Sequence, residues 1–160
     1  MRLITSVLVL GALLSTNALA EEKEPTAIVE LGAAGNWDFP GGGSLGPTVG
    51  VEFTPIKDWL EIEVGTGPLF GGAPAQWGTD LLFKKPFDLS KTTELMIGLG
   101  PEWTSTFGGG SKFGVEFAAD FMFWPWPDRK YGWFLEPSYS YAGPRDQSLT
   151  IGVGLLIAIR

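Results

Sequence analysis

From residue 26 onward the chain alternates bulky apolar side chains with small or polar ones, with a period of two and almost no helical pattern. Eight stretches carry the alternation, approximately 26–37, 46–54, 58–66, 75–86, 92–104, 112–124, 130–141 and 148–159. Val49, Val51 and Phe53 share one face of the second stretch, while Thr48, Gly50 and Glu52 share the other. Leu60, Ile62 and Val64 oppose Glu61, Glu63 and Gly65 in the third. In the sixth, Phe113, Val115, Phe117, Ala119, Phe121 and Phe123 oppose Gly114, Glu116, Ala118 and Asp120. Gly- and Pro-rich pieces separate the stretches, among them 38–43, 71–74, 108–111 and 142–144, and such residues end strands and set turns. The pattern predicts an all-β domain of eight antiparallel strands closed as an up-and-down barrel.

Which face points outward decides between a water-soluble barrel and a transmembrane one. An eight-stranded barrel is just wide enough inside for side chains to fill it, and the small-plus-acidic face suits that space better than the Phe-rich face. Trp and Tyr concentrate at stretch ends, at Trp37, Trp59, Trp77, Trp103, Trp124, Trp126, Tyr131, Trp133, Tyr139 and Tyr141. An interfacial aromatic girdle needs them there, because an indole or phenol favours one apolar and one wet side. The basic residues Lys57, Lys84, Lys85, Lys91, Arg129, Lys130 and Arg145 also sit at strand ends or turns. The expectation is a transmembrane β-barrel with outer-membrane lipid as its surroundings. A soluble periplasmic lipocalin-like barrel is the competing reading.

The first twenty residues have the form of a cleaved signal peptide. Arg2 is followed by an apolar core through Leu14 and by the small-x-small site Ala18-Leu19-Ala20, then by the acidic Glu21-Glu22-Lys23-Glu24. That core is too short to span ~30 Å of hydrocarbon as a helix. The expected organisation is therefore a leader at 1–20, a short segment at 21–25 and a barrel domain at 26–160, exported to the bacterial outer membrane. Twenty-three glycines and few methionines suit strands and turns rather than helices. Eighteen acidic residues against eleven basic ones disfavour nucleic acid as a partner.

Short pieces of the chain also repeat: Gly50-Val51-Glu52-Phe53 recurs as Gly114-Val115-Glu116-Phe117, and Glu30-Leu31 as Glu94-Leu95 at the same offset. These matches suggest related halves of four strands each. With both termini on the periplasmic side, the connections near 55–57, 87–91 and 125–130 are periplasmic and those near 38–45, 67–74, 105–111 and 142–147 face outward. None of the outer ones is long.

The candidate chemistry lies in an inward-facing acidic set: Glu30, Glu52, Glu61, Glu63, Asp80, Glu94, Glu102, Glu116, Asp120 and Glu136. Lys84 and Lys112 share that facing, both read as lying near strand ends. Unpaired buried charge is costly, so either these carboxyls hydrogen-bond one another as a polar plug or the lumen is hydrated and draws cations. The chain has neither Cys nor His, which excludes disulfides, thiolate chemistry and the commonest general base and metal ligand. No catalytic residues, cofactor or metal site are assigned. The pair Glu61 and Glu63 has the i, i+2 spacing that the pleat gives any lumen pair. The glycine clusters at 41–43 and 108–110 lack the Lys-Ser/Thr and helix of a phosphate cradle.

In architecture, residues 26–160 resemble the small outer-membrane barrels: the OmpA transmembrane domain, OmpX-like and OmpW-like proteins. The last strand carries the most specific element, Thr150-x-Gly152-x-x-Leu155-x-Ile157, which is similar to the C-terminal assembly signal of such barrels but ends in Ile159-Arg160 rather than an aromatic residue. The resemblance implies insertion by the barrel-assembly machinery. The expected function is a non-enzymatic, structural role in the envelope. A narrow pore or binding barrel for cations or small solutes is the alternative, since fold does not carry function with it.

Overall fold

The structure is a computed structural model that describes residues 25–39, 41–71 and 74–160. The predicted leader at 1–20 and most of the segment 21–25 lie outside the described residues, as do Pro40, Gly72 and Ala73. Eight strands follow one another: β1 Ala27–Phe39, β2 Gly42–Ile56, β3 Leu60–Leu69, β4 Gln76–Asp88, β5 Thr93–Thr106, β6 Ser111–Phe123, β7 Tyr131–Gly143 and β8 Asp146–Ile159. Each pairs antiparallel with its neighbour in sequence, and β8 pairs with β1 from Ala27↔Ile159 to Phe39↔Gln147, which closes the barrel. Closure leaves no unpaired strand edge.

The strands are longer than the alternation predicted. β1 and β2 run through most of the expected 38–45 loop, and β7 and β8 through most of 142–147. Glycine explains the extension. Gly42 and Gly43 offer no apolar side chain to register the period, yet they pair with Asp38 and Trp37. Two ends result. The terminal rim carries Pro25, Arg160 and the turns 57–59, 89–92 and 124–130, and the far rim carries the C-terminal ends of β1, β3, β5 and β7 with the turns 107–110 and 144–145.

The bulky face points outward on all eight strands. Leu31, Val51, Phe53, Val64, Phe83, Ile97, Leu99, Val115, Phe117, Leu135, Val153 and Leu155 are all exposed. Water-soluble monomers rarely expose contiguous apolar patches beyond a few hundred Å². A belt running round a closed barrel is instead the surface that lipid requires. With 10 to 15 residues each, the strands match or exceed the ~9–11 tilted residues that span a bilayer.

The interior departs from a uniformly small and acidic lumen. Ile28, Met96, Met122, Trp124, Phe134, Leu156 and Ala158 form a buried apolar cluster inside the barrel. Period-two reading missed most of it because 121–124 and 155–157 are apolar on both faces, so alternation there disappears. Phe134 lies along the inner wall over the close-set glycines of the next two strands, Gly154 of β8, its paired residue, and Gly32 of β1. A Cβ on Gly154 would lie 2.6 Å from the Phe134 ring, and one on Gly32 would lie 3.0 Å from it.

Candidate functional site

Lys84, which the sequence placed near a strand end, stands at the centre of the lumen. It is the buried basic side chain among the described residues, at 1% exposure. Its ammonium donates to Asp120 Oδ2 on β6 at 3.3 Å and to Glu136 Oε2 on β7 at 2.7 Å, and it pairs with Glu63 Oε2 on β3. Those three carboxylates match the three donors of a lysine ammonium. β4 brings the Lys84 stem past Gly98 of β5, where a Cβ would lie 2.6 Å from Lys84 Cγ, so a larger residue at 98 would crowd it.

Two further carboxylates join this layer without a lysine proton of their own. One carboxylate oxygen from each of Glu30, Glu52, Glu63 and Asp120 lies within 4.8 Å of the others, and all four residues are buried. Glu52 has no exposed surface, and neither of its carboxylate oxygens has a hydrogen-bond partner among the described residues. Glu30 Oε1 is likewise buried and unpartnered. Room for these groups comes from Gly50: a Cβ there would approach Glu63 Oε1 at 3.3 Å and Glu30 Cβ at 3.4 Å. Each uncompensated ion buried in this way costs several kcal/mol.

The remaining predicted lumen acids lie apart from the Lys84 layer. Asp80, Glu102 and Glu116 line a cavity of about 110 Å³ on its far-rim side, together with Glu30, Glu63 and Glu136. A wider mouth of about 300 Å³, reaching Asp38, Lys112 and Arg145, lies at the far rim. Glu61 and Glu94 face a third cavity of about 160 Å³ at the terminal rim, which Glu52 and Trp124 also line. There Thr54 donates to Glu61 Oε2 at 2.6 Å, and Arg129 pairs with Glu94 at 3.6 Å. Lys112 is exposed and pairs with Asp146 at the far rim, away from the acidic layer. The lumen is thus two polar vestibules divided by a packed middle in which Leu82, Lys84, Met96, Met122, Leu156, Glu52 and Asp120 are fully buried.

No protein-family model matches the chain, and no curated protein matches it in sequence. Solved structures do match in shape. Neisserial surface protein A (NspA) superposes with a TM-score of 0.64 at 15% identity, over 83% of this chain and 96% of that one. The N-terminal β-barrel domain of Pseudomonas aeruginosa OprF gives 0.59 at 14% identity, over 84% of this chain and 100% of that domain. Ail, the attachment invasion locus protein of Yersinia pestis, gives 0.53 at 16% identity, over 84% and 99%. The fold is that of the small eight-stranded outer-membrane barrels.

Within that fold the predicted interface aromatics divide into two rims, with one exception. Trp37, Trp77 and Trp103 are exposed toward the far rim, and Trp59, Trp126, Tyr131 and Trp133 toward the terminal rim. Tyr139 faces outward in the far-rim half of β7, with its hydroxyl donating to Gln147 Oε1 at 2.8 Å. Trp77 Nε1 donates to Thr66 Oγ1 at 2.8 Å, and Trp133 stacks on Phe123 with ring centroids 3.9 Å apart. Trp124 breaks the expectation. It is 2% exposed and turns into the lumen as part of the apolar cluster. Phe123 takes the outward position, so the next residue must face in.

The proposed assembly residues Thr150, Gly152, Leu155 and Ile157 lie on β8, the strand that closes the barrel against β1. Thr150 donates to Asn36 Oδ1 on β1 at 2.9 Å. Leu155 is exposed on the outer wall, and Gly152 is buried.

Proposed function

We propose that this chain is a non-enzymatic outer-membrane barrel with a structural role in the envelope, closed to solute passage. The observation that carries this reading is the packed middle of the lumen. An apolar cluster of Ile28, Met96, Met122, Trp124, Phe134, Leu156 and Ala158 adjoins the Lys84 ion-pair layer, and together they leave the central side chains dry. A conducting lumen would wet them. The short turns at both rims give no large head for adhesion, and the apolar belt with its two aromatic rims supports residence in lipid. On this reading the leader at 1–20 exports the chain, the termini face the periplasm, and β8 presents Thr150, Gly152, Leu155 and Ile157 to the barrel-assembly machinery.

The test is reconstitution of the protein in planar lipid bilayers. The expected result is membrane insertion, seen as a heat-modifiable gel shift and recovery with the outer-membrane fraction, without stepwise conductance. Sustained single-channel steps, or recovery of the folded protein in the soluble periplasm, would overturn the proposal.

A further inference from the structure

The Lys84 layer holds five carboxylates, those of Glu30, Glu52, Glu63, Asp120 and Glu136, around one ammonium. Lys84 spends its three donors on Glu63, Asp120 and Glu136, leaving Glu30 and Glu52 without a cation among the described residues. Acidity alone would say little. Glu52, however, is fully buried, both of its oxygens are unpartnered among the described residues, and one of them belongs to the set that converges within 4.8 Å. From these observations we propose that Glu30, Glu52, Glu63 and Asp120 form a buried binding site for a hard, oxygen-preferring divalent cation of the calcium type, held beside Lys84.

The geometry and the donor chemistry agree. Calcium takes oxygen ligands at ~2.3–2.6 Å, so two oxygens on opposite sides of one ion stand roughly 5 Å apart at most. The 4.8 Å convergence fits that span. All four donors are carboxylates, with no nitrogen or sulfur, which selects calcium or magnesium over zinc and copper. Four side chains from β1, β2, β3 and β6 can adjust without an octahedral constraint, which favours the larger ion. Glu30 and Glu63 also line the far-rim cavity, and Glu52 lines the terminal-rim one, so the cluster borders a polar vestibule on each side. A cation there would bridge β1, β2, β3 and β6 and hold the middle of the barrel shut. The proposal extends the structural reading, and the two fail separately: a barrel that conducts nothing need not bind an ion.

The experiment uses the protein refolded in detergent, stripped with a chelator, and titrated with calcium chloride by calorimetry and by thermal melting. The expected result is saturable uptake of one calcium per chain with a rise in Tm. Glu52→Gln should weaken that uptake roughly tenfold or more, because affinity follows the charge count of the ligands. Glu30→Gln is the parallel variant should Glu52→Gln fail to fold. Glu102→Gln, outside the cluster, should leave uptake intact. Two results would overturn the proposal: absence of saturable calcium uptake by the wild-type protein, or uptake retained in full by a folded Glu52→Gln or Glu30→Gln variant, which would place the ion elsewhere.

Discussion

Lys84 on β4 and Glu136 on β7 meet across the lumen, Nζ to Oε2 at 2.7 Å, although two strands separate them round the barrel wall. The bond ties opposite sides of the cylinder through its interior, independently of the ladder that joins neighbouring strands. Asp120 on β6 and Glu63 on β3 share the same ammonium. Removing that one charge leaves several buried carboxylates facing each other.

Lys84→Met is therefore expected to destabilise the folded barrel by about 3–5 kcal/mol, the range for breaking a buried ion pair from one side. Urea unfolding of the refolded protein, followed by tryptophan fluorescence, would measure it. A change below about 1 kcal/mol would mean that the ammonium is replaceable and the layer is not organised around it.

The outward Leu99, near the middle of β5 and opposite Phe83 and Phe117, reports on the solvent of the outer wall. Leu99→Arg should cost about 2–4 kcal/mol in lipid, as arginine does at the midplane of a bilayer barrel. On a water-facing strand the same change would stay within about 0.5 kcal/mol. Equilibrium unfolding from lipid vesicles distinguishes the two.

Gly100 and Gly35 give a paired test of close backbone approach. A Cβ at Gly100 would fall 1.8 Å from the Leu81 carbonyl oxygen, whereas one at Gly35 meets nothing within 4 Å. Gly100→Ala should lower stability by about 1–3 kcal/mol through overpacking, and Gly35→Ala by no more than about 0.5 kcal/mol. The fraction of protein that keeps its heat-modifiable gel shift across a urea series gives both values.

Alternation along each strand was enough to determine eight strands and the division of each into a Phe- and Leu-rich face and a small or acidic one. These are local properties, since a pleat sends successive side chains to opposite faces whatever the rest of the chain does. Ten inward acids were legible for the same reason. Facing alone did not decide which of them meet. Glu30, Glu52, Glu63 and Asp120 converge because closure and register set their strands at matching depth, whereas Asp80, Glu102 and Glu116 are outside that set and line the far-rim cavity that Glu30 and Glu63 border, and Glu61 and Glu94 face the terminal rim. Lys84 looked peripheral because linear distance to a turn carries no information about depth in a tilted, closed barrel. Its partners at Asp120 and Glu136 lie 36 and 52 residues away in the chain. Trp124 and the apolar cluster were hidden where both faces are hydrophobic and the period vanishes. The sequence by itself determined the wall of this protein. Only the tertiary structure decided what fills it, because contacts across a lumen depend on the register of every strand between them.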